Sequence, residues 1–243
     1  MLRDYFYKNS LLLFDFDGLL VNTELLHYRC YKLALEQRGF SLSWDFATYS
    51  QFAHGSNTLG ENIYKACPGL VDKYPLWETI RSYKQEIYHS LLQEEPISLM
   101  SGVDRLLQYL NENSRSYGVV TNATKLQVHF IREQHKILQK IPFWITRDDV
   151  KNPKPSPDSY LLAKHLYGKS HENFLGFEDT LKGISALQGA NIPAILICDK
   201  DHPQLQLSDS PSIYSHFTNF NEFFEHIAPV SYTHLRAHET RHD

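Results

Sequence analysis

Apolar residues fall into short runs with almost no polar interruption at positions 11–14, 118–120, 143–145, 174–177 and 194–198. A strand with one wet face would alternate apolar and polar side chains, so unbroken runs of this length predict strands buried on both faces. Between the runs the spacing turns helical: Val103, Leu106, Leu107 and Leu110, then Leu161, Leu162, His165 and Leu166, then Leu181, Ile184 and Leu187. Strand and helix in alternation imply right-handed crossovers, and therefore an α/β fold built on a doubly wound parallel sheet.

Residues 22–95 break this rhythm, because they carry helical patterns with no buried strand between them. One helix is expected over residues 24–38, with Leu25, Tyr28, Tyr31 and Leu35 as its apolar stripe and Gly39 as its stop; another is expected over residues 76–92. The arrangement predicts a core domain from residues 1–21 and 96–229 and an inserted helical cap from residues 22–95, hinged near residues 20–23 and 94–96. Residues 230–243 stand apart. His234, His238 and His242 recur at a spacing of four, which on a helix would present a metal-binding face. Residues 231–242, however, resemble translated sequencing-adapter sequence, so the segment reads as a non-native tail and the natural end is undefined beyond about Pro229.

Composition narrows the function. The chain has 243 residues, 42% of them hydrophobic, enough for one full core and a smaller second one. Charged residues make up 21% and the net charge is -4, which leaves no basic face for nucleic acid; a small anionic metabolite needs only a local positive pocket. Cys30, Cys67 and Cys198 are odd in number and far apart, fitting neither a disulfide framework nor a zinc site, and read as reduced thiols. The apolar run at 11–14 is hemmed in by Asp4, Asp15 and Asp17, which suits neither a signal peptide nor a membrane span. A soluble, cytoplasmic protein is expected, and its oligomeric state is not legible.

Candidate chemistry sits where these runs end. Asp15 and Asp17 follow the first run, Thr121 ends the second, Lys154 lies in the loop after the third, and Glu178 and Asp179 end the fourth. In an open parallel sheet the carboxyl ends of the strands converge on one edge, where ligands bind. Each feature alone has a plain structural explanation: an Asp-x-Asp pair is usually a turn, and Glu178-Asp179 before a helix can cap it. Their arrival at the same end of four different strands argues for a site.

Residues 15–24, Asp-Phe-Asp-Gly-Leu-Leu-Val-Asn-Thr-Glu, resemble the first motif of the haloacid dehalogenase superfamily, in the branch containing beta-phosphoglucomutase and phosphoglycolate phosphatase. Val119-Val120-Thr121-Asn122 resembles the second motif, residues 154–160 the third and residues 176–184 the fourth, in the family's order. The resemblance covers residues 10–227 and implies a magnesium-dependent phosphatase acting on a small phosphorylated metabolite, such as a sugar phosphate or phosphoglycolate. By resemblance, Asp15 is the nucleophile that forms an aspartyl-phosphate, and Asp17 is the acid that protonates the leaving group and then deprotonates water. Asp15, the Asp17 backbone carbonyl and Asp179 hold Mg2+, with Glu178 acting directly or through water. Thr121 and the backbone amide of Asn122 bind a phosphate oxygen, and Lys154 pairs with both the phosphoryl group and Asp15.

The departures from the family bear on substrate and outcome. Asn22 stands where many relatives have aspartate, with a modest effect expected on hinge hydrogen bonding. His27 matches a histidine of the first cap helix and reads equally as a substrate contact or a part-buried helix residue. A sugar phosphate mutase would need a cap that excludes water, and such relatives place an arginine after a Gly-Ser turn; here residues 53–58 put Asn57 at that position, with Lys65 nearby as a substitute cation. Hydrolysis is therefore favoured over mutase chemistry. A receiver-like phosphorylation switch is about half this length and lacks a helical insertion, and a non-catalytic phosphate-binding module would not need the full set of reactive residues.

Overall fold

The computed structural model describes residues 6–7, 10–55, 59–169, 173–202, 205 and 213–227; the histidine-bearing tail and Asn57 lie outside the described residues. Among the described residues six strands form one sheet: β1 (Ser10–Phe14), β2 (Tyr117–Val120), β3 (Trp144–Ile145), β4 (Asn173–Glu178), β5 (Ala194–Ile197) and β6 (Ile213–Phe217). Their order is β3-β2-β1-β4-β5-β6, and every pairing is parallel. The chain thus starts in the middle of the sheet and winds outward in both directions. The expected doubly wound parallel sheet is present.

Strand β1 shows why the apolar runs lack alternation. Leu12 and Phe14 point to one face and Leu11 and Leu13 to the other, and all are buried. On the first face they meet α6 (Val103–Glu112) and α11 (Phe220–Ile227), through Leu106, Leu107, Phe220 and Phe223. On the second they meet α9 (Asp158–Tyr167) and α10 (Leu181–Gly189), through Tyr160, Ala163, Ile184 and Leu187. Each such leucine contributes about 1.5–3 kcal/mol by leaving water. Helix α7 (Lys125–Gln134) follows β2 and opens with a capping box, in which Thr124 accepts from the Gln127 amide and the Gln127 side chain accepts from the Thr124 amide. A short helix α8 (Lys136–Gln139) then leads toward β3.

Between β1 and β2 the chain forms a helical block: α1 (Glu24–Glu36), α2 (Phe46–Gly55), α3 (Leu59–Ala66), α4 (Leu70–Lys73) and α5 (Trp77–Glu94). It buries an apolar cluster of its own around Tyr31, Leu35, Ile63, Leu70 and Ile80. Two segments tie it to the sheet, and they pair with each other: the Met100 amide donates to Leu20 O (3.0 Å), the Asn22 amide to Ser98 O (2.9 Å), and Val21 bridges Leu99 in antiparallel fashion. Entry and exit therefore share one narrow neck. Among the described residues no helix is long and apolar enough to cross a membrane.

Two expected helix faces are rotated. In α1, Leu25 is 49% exposed and the buried residues are Leu26, Cys30, Tyr31, Ala34 and Leu35, because the helix lies between the block's own cluster and α5 and needs a wider inner face than one stripe. In α9, Leu161 and Leu166 are exposed while Ser159, Tyr160 and Ala163 turn inward. Small residues let that helix approach the sheet closely, and an apolar-only reading misses them. Strand β6, with burial confined mostly to Phe217, had no unbroken apolar run to announce it.

Candidate active site

The carboxyl ends of β1, β2 and β4 carry the reactive side chains. Asp15 directly follows β1, and its amide donates to Phe177 O (3.0 Å), which continues the sheet ladder one residue past the strand. Beyond it, residues 16–21 form a tight turn closed by Leu20 N to Phe16 O (2.8 Å) and Gly18 N to Val21 O (2.9 Å). That turn directs Asp17 back toward Asp15, where Thr23 Oγ1 donates to Asp17 Oδ1 at 2.8 Å.

Lys154 is the electrostatic centre. Its buried ammonium lies 2.5 Å from Asp15 Oδ1, 2.6 Å from Glu178 Oε1, 2.7 Å from Val120 O and 3.0 Å from the Tyr160 hydroxyl. Burial by itself would push this lysine down; Asp15 and Glu178 outweigh it and raise it above the ordinary lysine value. Tyr160 Oη in turn donates to Glu178 Oε1 (2.7 Å). The Asn122 side chain fixes the Lys154 backbone from both sides, donating to Lys154 O (3.2 Å) and accepting from Lys154 N (3.0 Å). Thr121 is buried at the end of β2, its hydroxyl accepting from the Ala123 amide at 2.9 Å.

Asp15, Glu178 and Asp179 gather carboxylate oxygens within 4.8 Å of one another. Such crowding is unfavourable without a cation. Burial first, then Asp15 and Glu178, push Asp179 well above the usual carboxylate range; burial and Asp15 likewise raise Glu178 against the opposing pull of Lys154. Asp17 is pushed up to about 6, by burial and then by Asp15. A buried, oxygen-only donor set with this surplus of negative charge fits a hard divalent metal ion.

Two glycines make room for these carboxylates. Gly18 has φ +78°, and a Cβ there would lie 2.2 Å from Asp179 Oδ2; a Cβ on Gly183 would lie 1.8 Å from the Glu178 carboxyl carbon. Gly18→Ala is expected to cost at least about 1–2 kcal/mol from the left-handed backbone alone. It is also expected to weaken divalent metal affinity by displacing Asp179. Urea unfolding and a metal titration check both, and unaltered metal affinity would separate Gly18 from the acidic cluster.

Above this edge lies a cavity of about 310 Å³. Asp15, Asp17, Thr121, Asn122, Lys154, Glu178 and Asp179 line it from the sheet, and Glu24, His27, Tyr31, Tyr49 and Lys84 from the helical block. All sequence-identified residues from the four motifs thus meet in one place, and His27 joins them. Lys65 is exposed on α3; the block's cation in the cavity is Lys84.

Lys84 is the residue missed from the sequence. Its ammonium sits 2.5 Å from His27 Nδ1 and 4.4 Å from the centre of the Tyr88 ring, and His27 stacks on that ring at 4.3 Å. An ammonium has no lone pair, so Nδ1 is the acceptor where Lys84 donates. Burial lowers Lys84 to about 8. One signal was present: Ile80, Lys84, Tyr88 and Leu92 recur at intervals of four, so a lysine interrupts the buried stripe of α5.

Comparison with known proteins agrees with this geometry. The chain is 23% identical to the phosphorylated carbohydrates phosphatase of Thermotoga maritima, over 75% of this chain and 82% of that protein. It is 23% identical to (DL)-glycerol-3-phosphatase 2 of Arabidopsis thaliana, over 81% of each. Among solved structures, CbbY from Rhodobacter sphaeroides in complex with phosphate superposes with a TM-score of 0.69 at 24% identity, covering 88% of this chain and 96% of that one. Residues 12–197, with all four motifs inside them, match the haloacid dehalogenase-like hydrolase family, and the chain belongs to it.

Proposed function

We propose that the protein is a magnesium-dependent phosphatase that hydrolyses a small phosphorylated metabolite through an aspartyl-phosphate on Asp15. It is a phosphoric monoester hydrolase of the haloacid dehalogenase type. The observation that carries the finer reading is the Lys154 ammonium held between Asp15 and Glu178 beside a third carboxylate, Asp179. Lys154 holds the Asp15 carboxylate in position to attack, and its positive charge faces the transferring phosphoryl oxygens. The Thr121 hydroxyl and the Asn122 amide line the same cavity and bind a phosphate oxygen.

Asp17 handles the proton. Raised to about 6 and held toward Asp15 by Thr23, it can carry a proton to the departing ester oxygen and later take one from the attacking water. Asp15, Asp179, Glu178 and the Asp17 backbone carbonyl would hold the metal, which supplies charge neutralisation at the phosphoryl oxygens. Residues 22–95 act as a cap over a core formed by residues 1–21 and 96–229, and the paired neck at residues 20–22 and 98–100 supports a hinge there. The relatives named above act on phosphorylated carbohydrates and glycerol 3-phosphate by their names, which supports a small phosphorylated substrate.

Hydrolysis of p-nitrophenyl phosphate is expected to depend on magnesium, to stop in excess EDTA and to return when magnesium is restored. Full turnover in chelator would remove the metal from the scheme. Conversion of glucose 1-phosphate to glucose 6-phosphate without release of phosphate would replace hydrolysis by mutase action.

A further inference from the structure

The Lys154 ammonium has three hydrogens to give and four oxygens within reach: Asp15 Oδ1 at 2.5 Å, Glu178 Oε1 at 2.6 Å, Val120 O at 2.7 Å and the Tyr160 hydroxyl at 3.0 Å. A phosphoryl oxygen arriving at Asp15 therefore meets the positive charge but no free N–H. One existing bond has to be surrendered before Lys154 can donate to it. The Asp15 bond holds the nucleophile, and the Val120 bond anchors the ammonium at the end of β2. Of the two carboxylates, only Glu178 has a second donor on the oxygen that faces Lys154, among the described residues: the Tyr160 hydroxyl lies 2.7 Å from Oε1. An ammonium cannot accept, so the phenolic hydrogen is free for Glu178.

Burial makes this second donor matter. Glu178 is 1% exposed, Lys154 4% and Tyr160 0%. At such depth a carboxylate oxygen that loses its only donor is costly, because bulk water cannot restore the bond. With Tyr160 in place Oε1 stays hydrogen-bonded when the ammonium turns away; without it the ammonium is tied to Glu178. We propose that Tyr160 is a positioning residue of the reaction, whose hydroxyl holds Glu178 Oε1 so that Lys154 can redirect one N–H from Glu178 to the phosphoryl oxygen as that group moves onto Asp15. This rests on the phosphatase reading and adds a residue to it. The register of α9 makes the arrangement possible, since the helix begins at Asp158, shortly after Lys154, and turns Tyr160 inward. Its ring centre lies 4.7 Å from the ammonium, so ring and hydroxyl act separately: the ring supports the cation and the hydroxyl serves the carboxylate.

Tyr160→Phe in the full chain with magnesium removes the hydroxyl and keeps the ring. With p-nitrophenyl phosphate, kcat is expected to fall about 10- to 100-fold while KM stays within about threefold, the mark of an interaction made mainly in the transition state. Inhibition by orthovanadate, which imitates five-coordinate phosphorus, should weaken about tenfold or more. The magnesium concentration for half-maximal activity should stay within about threefold, because Lys154 remains on Glu178 and the acidic cluster keeps its shape. A lower urea midpoint with kcat and vanadate affinity unchanged would make the hydroxyl purely structural and overturn the proposal. Parallel loss of magnesium and vanadate affinity would also overturn it, by assigning the hydroxyl to the metal site. If the variant does not fold, a crystal structure of the wild-type protein with magnesium and vanadate decides. Lys154 Nζ bonded to a vanadate oxygen and beyond about 3.5 Å from Glu178 Oε1, with Tyr160 still on that oxygen, supports the exchange; an intact Lys154–Glu178 bond rejects it. Wild-type turnover separates the two readings: its absence rejects the phosphatase, whereas its presence with an unaltered Tyr160→Phe rejects only the role of Tyr160.

Discussion

Asp15→Asn is expected to lower phosphate release by about 10⁴-fold or more while leaving the protein folded and able to bind its substrate. The amide is not a nucleophile, so no phosphoryl bond to the chain can form. Its shape is retained, and its oxygen can still accept from Lys154, which lies 2.5 Å from Asp15 Oδ1. Removing the Asp15 charge also relieves its neighbours, since repulsion from Asp15 helps to raise Asp17, Glu178 and Asp179. Stability should therefore hold or rise even as turnover disappears. The measurement pairs phosphate release with urea unfolding and with labelling of the chain by a radioactive phosphoryl donor. Turnover above about one hundredth of wild type would remove Asp15 from its role.

Asp17→Asn is expected to slow turnover of an alkyl phosphate by about 10²- to 10⁴-fold. An alkoxide is a poor leaving group without a proton. With p-nitrophenyl phosphate the first step needs no such help, so the variant should release a burst of about one equivalent of nitrophenolate and then stall, because water is no longer deprotonated. Equal losses on both substrates, with no burst, would place Asp17 outside proton transfer.

The same substitution should affect stability in the opposite direction. Asp17 is raised from 3.8 to about 6 in the folded protein, so the fold binds this proton more tightly than the unfolded chain does. Its contribution to stability is fully present below about pH 4 and is lost as pH rises through about 6, by up to about 3 kcal/mol. Asn cannot ionise. In metal-free protein the variant should match wild type near pH 4 and exceed it by a growing margin up to about pH 6, beyond which the gap levels off. A gap that widened toward low pH would contradict the upward shift of Asp17.

Much of this site could be read from the chain because its parts obey local rules. An unbroken apolar run ending in a polar residue marks a buried strand and its exit, which puts Asp15, Thr121 and Glu178 at one edge of the sheet. Helix faces were read less well. Residues 159–166 offered leucines as the obvious stripe, yet Tyr160 turns inward, where its hydroxyl serves Glu178 and Lys154. The winning effect is close approach with a buried hydrogen-bond network, which hydrophobic periodicity does not register.

By itself, then, the amino-acid order determined the strand-helix alternation, the parallel sheet, the inserted helical block and the family, because strand burial and turn chemistry act over a few neighbouring residues. Only the tertiary structure brought Lys84 onto His27 and placed Lys84 and Lys182 on the wall of one cavity. Those pairs are separated by many residues, and which of them meet depends on how the helical block sits on the sheet. Charge at such distances is a property of packing, and no local pattern encodes it.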